Sequence, residues 1–118
     1  YASLTDIITK AWSGKTTRQY KDYKGLKKEN LRDNMTTMEL ALNMLAEATT
    51  AEISRTENPQ GYVASANIAH RGGQIAGEAR QRIETQTGHS VISSVKAADY
   101  LPLTDEPPQL SDTTTIKN

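Results

Sequence analysis

Thr36-Thr37-Met38-Glu39 sets a hydroxyl three residues ahead of an acid, and Asn58-Pro59-Gln60-Gly61 closes the stretch that follows. The first string is a capping box, in which hydroxyl and carboxylate satisfy opening amides of a helix. The second cannot continue a helix, because proline lacks an amide proton and restricts the residue before it. Between them Met38, Leu42, Leu45, Thr49 and Ile53 form one apolar stripe, with Ala41, Ala48 and Ala51 beside it. The spacing predicts a helix from about Thr36 to Thr56. Beyond the turn a second helix is expected over roughly Tyr62 to Gln86, stopped by Gly88. Two long helices joined by a short turn form an antiparallel hairpin, and this makes the fold class all-α.

The second helix carries Gly72, Gly73 and Gly77, and each glycine inside a helix costs about 1 kcal/mol relative to alanine. Close packing supplies a reason. Ala66, Ala69, Gly73, Ala76 and Gly77 make a small-residue seam, placed to approach the Ala41/Ala48/Ala51 side of the neighbour or a second copy of the chain. The other reading is a break at Gly72-Gly73 that opens a helix N-terminus beside Arg71 as an anion site. Packing is the favoured reading. Arg80 falls on the seam too, where it needs a carboxylate such as Glu47 or Glu52. Such a seam also suits a chain poor in large apolar side chains, for Leu, Ile and Val number 9, 8 and 3 and Phe is absent.

Short helices precede the hairpin. Ser3 to Asp6 has the capping spacing, Leu4, Ile7, Ile8 and Ala11 share a face, and Gly14 ends that helix. A second runs about Arg18 to Lys24, opened by Thr16 or Thr17 and closed by Gly25, and a turn or two more lies around Leu31. Ser90 to Ser93 reads as a short extended segment, and Ser94 opens a turn through Asp99. Residues 1–101 are expected to form one helical domain. Residues 102–118, rich in Pro, Thr and Asp, are expected to be an irregular tail.

Net charge is zero over the 118 residues, but the charges are not evenly spread. Lys10, Lys15, Arg18, Lys21, Lys24, Lys27, Lys28 and Arg32 stand against Asp22 and Glu29, a segment of net +6. From Asp99 onward the chain is net −3. Arg18, Lys21, Lys24, Lys27, Lys28 and Arg32, interleaved with Tyr20 and Tyr23, are candidate nucleic-acid contacts: cations for phosphates, rings for bases. The alternative, favoured by the residues alone, is a solvated helix face whose tyrosines pack inward.

Catalytic patterns are missing. With no cysteine, a disulfide scaffold, a thiolate zinc site and a cysteine nucleophile are excluded. His70 and His89 are the only imidazoles and lack metal-ligand spacing. Glu78 follows Gly77 where a phosphate-binding loop needs lysine. Neither a dinucleotide fingerprint nor a nucleophile elbow occurs. No enzyme, cofactor or metal is expected. No stretch is apolar enough to span a membrane and Tyr1 to Ala11 has no signal-peptide pattern, so the expected setting is cytoplasmic and away from membrane.

Several stretches taken together resemble a known family. They are Leu4-Thr5-Asp6-Ile7, Ala11-Trp12-Ser13-Gly14, and Thr16 to Lys21 running on through Lys24-Gly25-Leu26-Lys27-Lys28-Glu29-Asn30-Leu31-Arg32-Asp33-Asn34-Met35-Thr36. Thr50-Ala51-Glu52-Ile53-Ser54, Arg71-Gly72-Gly73, Ala76-Gly77, Ala79-Arg80, Thr87-Gly88 and Val91-Ile92-Ser93 complete the set. Residues 4 to 100 resemble the C-terminal region of the bacterial DNA damage-inducible protein D family, whose members carry an N-terminal BRO-type domain. The resemblance implies a DNA-damage (SOS) and prophage setting, with the BRO-type domain upstream of Tyr1. It implies a helical accessory module acting through self-association, a DNA-repair protein partner or supplementary DNA contacts, and it transfers no catalytic residue.

Overall fold

The computed structural model describes residues 1–99; the expected tail lies outside them, as do the last two residues of the expected helical domain. Four α-helices follow in order: α1 (Leu4–Ser13), α2 (Thr17–Lys24), α3 (Thr37–Glu57) and α4 (Gly61–Thr87). Single 3-10 turns lie at Arg32–Asn34 and Ala97–Asp99. The described residues are all-α, with no strand among them, and Ser90 to Ser93 pairs with none.

Side-chain caps account for where the first three helices start. Ser3 Oγ accepts from the Asp6 amide, while Thr16 with Gln19 and Thr36 with Glu39 form complete capping boxes. The stops are left-handed residues. Gly14 and Gly25 end α1 and α2, and Asn58, at φ 49°, ends α3 just before Pro59.

Helices α3 and α4 form the expected hairpin, but the small-residue seam of α4 has a different partner from the one its sequence suggests. Gly73 packs on Ile8 and Ala11 of α1, and Gly77 on Ala11 and Trp12. A Cβ at Gly73 would stand 2.6 Å from the Ala11 Cβ and 2.7 Å from the Ile8 carbonyl oxygen. Of the three helix glycines, Gly72 faces α3, where a Cβ would lie 2.8 Å from the Thr50 Cα. Ala41, Ala48 and Ala51 are exposed. The seam is thus an internal contact: Ala69, Gly73, Ala76 and Gly77 are buried and Ala66 is half-buried, which leaves no room there for a second copy. Helix α4 is unbroken through Gly72-Gly73, and Arg71 is held by Glu57 at 2.7 and 2.9 Å.

The inner face of α3 is also rotated from its expected stripe. Leu42 is buried as foreseen, but the residues turned inward with it are Glu39, Asn43 and Ala46. Met38, Met44 and Leu45 remain 43%, 51% and 40% exposed. Polar residues take inward positions because each finds a partner there, which apolar periodicity alone does not register. Trp12, Tyr20, Leu42, Ala46, Ala76 and Ile92 make the core.

Candidate functional site

The basic segment divides into cations that turn inward and cations that turn out. Lys24 is 2% exposed, and its ammonium contacts Glu39 Oε1 at 2.9 Å. It also donates to the carbonyls of Ser93 and Val95, at 2.7 and 2.6 Å. Glu39, equally buried, accepts from the Thr36 amide at 2.9 Å, the Ser93 amide at 3.0 Å and the Tyr20 hydroxyl. Burial and this hydrogen bond raise the Tyr20 pKa well above the usual phenol range, so the hydroxyl stays a donor. Every strong donor faces an acceptor, the condition under which a buried ion pair is tolerable.

Lys24 is therefore no nucleic-acid contact, contrary to its place in the basic strip. In a helix of 100° per residue it lies about 60° from Lys21 but only about 40° from Tyr20. Tyr20 fills the core, and Lys24 follows it inward. Arg32 is exposed yet engaged, its Nη1 lying 3.0 and 3.2 Å from the two oxygens of Glu47. Arg18, Lys27 and Lys28 are exposed and Lys21 half-buried. None of these four, nor Lys10 or Lys15, has a carboxylate partner among the described residues. Lys15 instead lies over the ring of exposed Tyr23, at 4.5 Å from its centroid.

Arg80 has neither Glu47 nor Glu52 as partner. It donates from Nε to the Trp12 carbonyl at 2.8 Å and pairs with Glu84 at 3.0 Å. Glu84 in turn accepts from the Val91 amide at 2.9 Å. Together with Glu39 at Ser93, this fixes the segment after α4 at two amides that flank buried Ile92.

The outward cations border a cleft of about 360 Å³ between α1, the start of α2, the loop before α3 and α3 itself. Lys21, Lys28 and Arg32 line it, with Thr9 and Asn43 at its buried base. Sequence reasoning found the lysines but missed Asn43, whose one signal was a polar residue one step from Leu42. Among the described residues no three His, Asp or Glu side chains group to hold a metal, and no helix is long and apolar enough to cross a membrane. Comparison with family models, with curated proteins and with solved structures finds no match to this chain.

Proposed function

We propose that the chain is a helical accessory domain that acts by contact rather than catalysis, in the cytoplasm, as part of a BRO-type DNA-damage-inducible protein. The family setting rests on the resemblance of residues 4 to 100. The contact role rests on one observation, the outer face of α3. Met38, Ala41, Leu45 and Ala48 follow one another at helical spacing, Met44 borders them, and all five are exposed. Methionine adapts to irregular surfaces and suits such a face to a protein partner. With the glycine seam internal, this face is the natural place for self-association. Sedimentation velocity across a concentration range tests it. The expected result is a concentration-dependent dimer that Leu45→Glu abolishes while the helical circular dichroism is kept. A chain monomeric at every concentration contradicts self-association.

A second reading, direct nucleic-acid binding, is favoured by the cations Arg18, Lys21, Lys27 and Lys28 around α2, which have no carboxylate partner among the described residues. Its affinity should fall steeply with salt. The combined Lys21→Glu, Lys27→Glu, Lys28→Glu variant should abolish binding, and unchanged binding contradicts the reading. Lys24→Glu is no test, since it would set a second buried carboxylate against Glu39.

A further inference from the structure

We propose that the cleft between α1, α2 and α3 binds a single phosphate group, carried by a nucleotide-sized anion or free in solution. The argument starts at Asn43. Its amide faces the Trp12 indole, with 3.2 Å between Nε1 and Oδ1. An indole nitrogen only donates, so the atom facing it is the oxygen, and the Asn43 Nδ2 is turned the other way. There its one partner among the described residues is Glu47, at 3.4 Å, a long contact that leaves its donor capacity largely unused.

The rest of the lining adds donors of the same kind. Lys21 and Lys28 bring ammonium groups with no carboxylate partner among the described residues. Arg32 holds Glu47 through Nη1 alone, so Nε and Nη2 make no hydrogen bond among the described residues. Thr9, only 4% exposed, adds a hydroxyl near the base. Of the two lining carboxylates, Glu47 is paired with Arg32 and Glu29 accepts the Lys27 amide at Oε1, at 2.7 Å, so three cations stand against two carboxylates. A surplus of donors over free acceptors calls for a ligand group that only accepts. Phosphate oxygens are such acceptors, and about 360 Å³ falls in the ordinary range for a small-ligand site.

This inference shares Lys21, Lys28 and Arg32 with the nucleic-acid reading and rests on it only for the sign of the ligand's charge. Trp12, the sole tryptophan, reports from the base of the cleft through its bond to Asn43. The full chain is titrated with inorganic phosphate, adenosine 5′-monophosphate, adenosine and a short single-stranded oligonucleotide. The readouts are Trp12 fluorescence and the Asn43 side-chain amide resonances. Both small anions should give saturable changes, and Lys21→Ala and Lys28→Ala should each weaken them about tenfold, the worth of one charge-assisted hydrogen bond. Arg82→Ala, an exposed change on α4, should leave them unaltered. Tighter binding of the monophosphate than of phosphate assigns the site to a nucleotide, and equal binding assigns it to free phosphate. The proposal is overturned if neither small anion moves the Asn43 resonances, if adenosine binds as well as its monophosphate, or if both lysine variants bind like the parent chain. An oligonucleotide that binds when the small anions do not overturns the cleft and leaves the extended nucleic-acid surface standing. Small anions that bind when the oligonucleotide does not do the reverse.

Discussion

Two of the contacts that hold this molecule together work by opposite means. Along α4, Gly73 and Gly77 bring a helix backbone against α1 with no α4 side chain between them. At the far end of α2, Lys24, Tyr20 and Glu39 meet as a fully buried ionic cluster that grips the segment after α4. The glycine contact gains from close approach and dispersion, and it tolerates no added volume. The ionic cluster tolerates no loss of a partner, because each charge is desolvated at a cost that its counter-charge and the surrounding hydrogen bonds offset together. The same distinction sorts the cations. Lys24 belongs to the fold, while Lys21 and Lys28 have no carboxylate partner among the described residues.

The largest effect should come from breaking the ionic cluster on one side. Glu39→Ala strands the Lys24 ammonium and removes the acceptor for the Tyr20 hydroxyl and the Ser93 amide. Urea denaturation should show a loss of about 3–5 kcal/mol, the range for removing one member of a buried pair. The paired change Lys24→Met, Glu39→Leu should recover only the part of that loss due to the stranded charge, because the Tyr20 hydroxyl and the Ser93 amide still lack their acceptor. A double variant no more stable than Glu39→Ala would show that the lost hydrogen bonds, and not the stranded charge, set the loss. Next comes Gly73→Ala. Its methyl group meets the Ile8 carbonyl oxygen, a backbone atom that moves only if α1 moves, and the expected loss is about 1–3 kcal/mol. A neutral or stabilising result, as for an ordinary helix glycine, would show that α1 and α4 are not in close contact.

A smaller effect is expected with pH. Hydrogen bonds from Thr17 hold the Asp6 carboxyl below its ordinary range. Burial pushes the Glu84 carboxyl up, but the Val91 amide and the Arg80 guanidinium outweigh it and hold it down. A carboxyl with a lower pKa folded than unfolded stabilises the fold at neutral pH. It loses that contribution as the pH falls through its folded value. The melting temperature should therefore hold near neutral pH and decline once the ordinary carboxylate range is passed on the acid side. Asp6→Asn should flatten part of that decline. The smallest change is Arg55→Ala, which removes an exposed pair with Glu52 and should shift stability by no more than about 0.5 kcal/mol.

What the sequence revealed and what it hid follow the same division. Helix starts and stops are local: Thr36 reaches only to Glu39, and Gly14 or Gly25 needs only its own backbone. These were legible, as was the hairpin, whose turn is written in Asn58-Pro59. The glycine seam was legible as a seam but not as to its partner, because small residues announce a close approach without naming what approaches. The rotation of α3 was hidden because Glu39 and Asn43 are inward only through partners far along the chain, Lys24 and Trp12. Lys24 itself was ambiguous between two helix faces, and only the burial of Tyr20 decides it. Of the cleft, the cations were legible in the basic run. The Asn43 amide was not, since its orientation is set by an indole from another helix.

Hydrogen exchange at Ser93 tests most directly whether the inward cluster holds the chain. The Ser93 amide donates to Glu39 Oε2, while Ser94, exposed, has no amide partner among the described residues. At neutral pH the Ser93 amide should exchange as slowly as the buried amides of α4, and the Ser94 amide should exchange close to its free rate. A Ser93 amide that exchanges as fast as that of Ser94 would contradict the account, for Glu39 would then not hold the segment after α4.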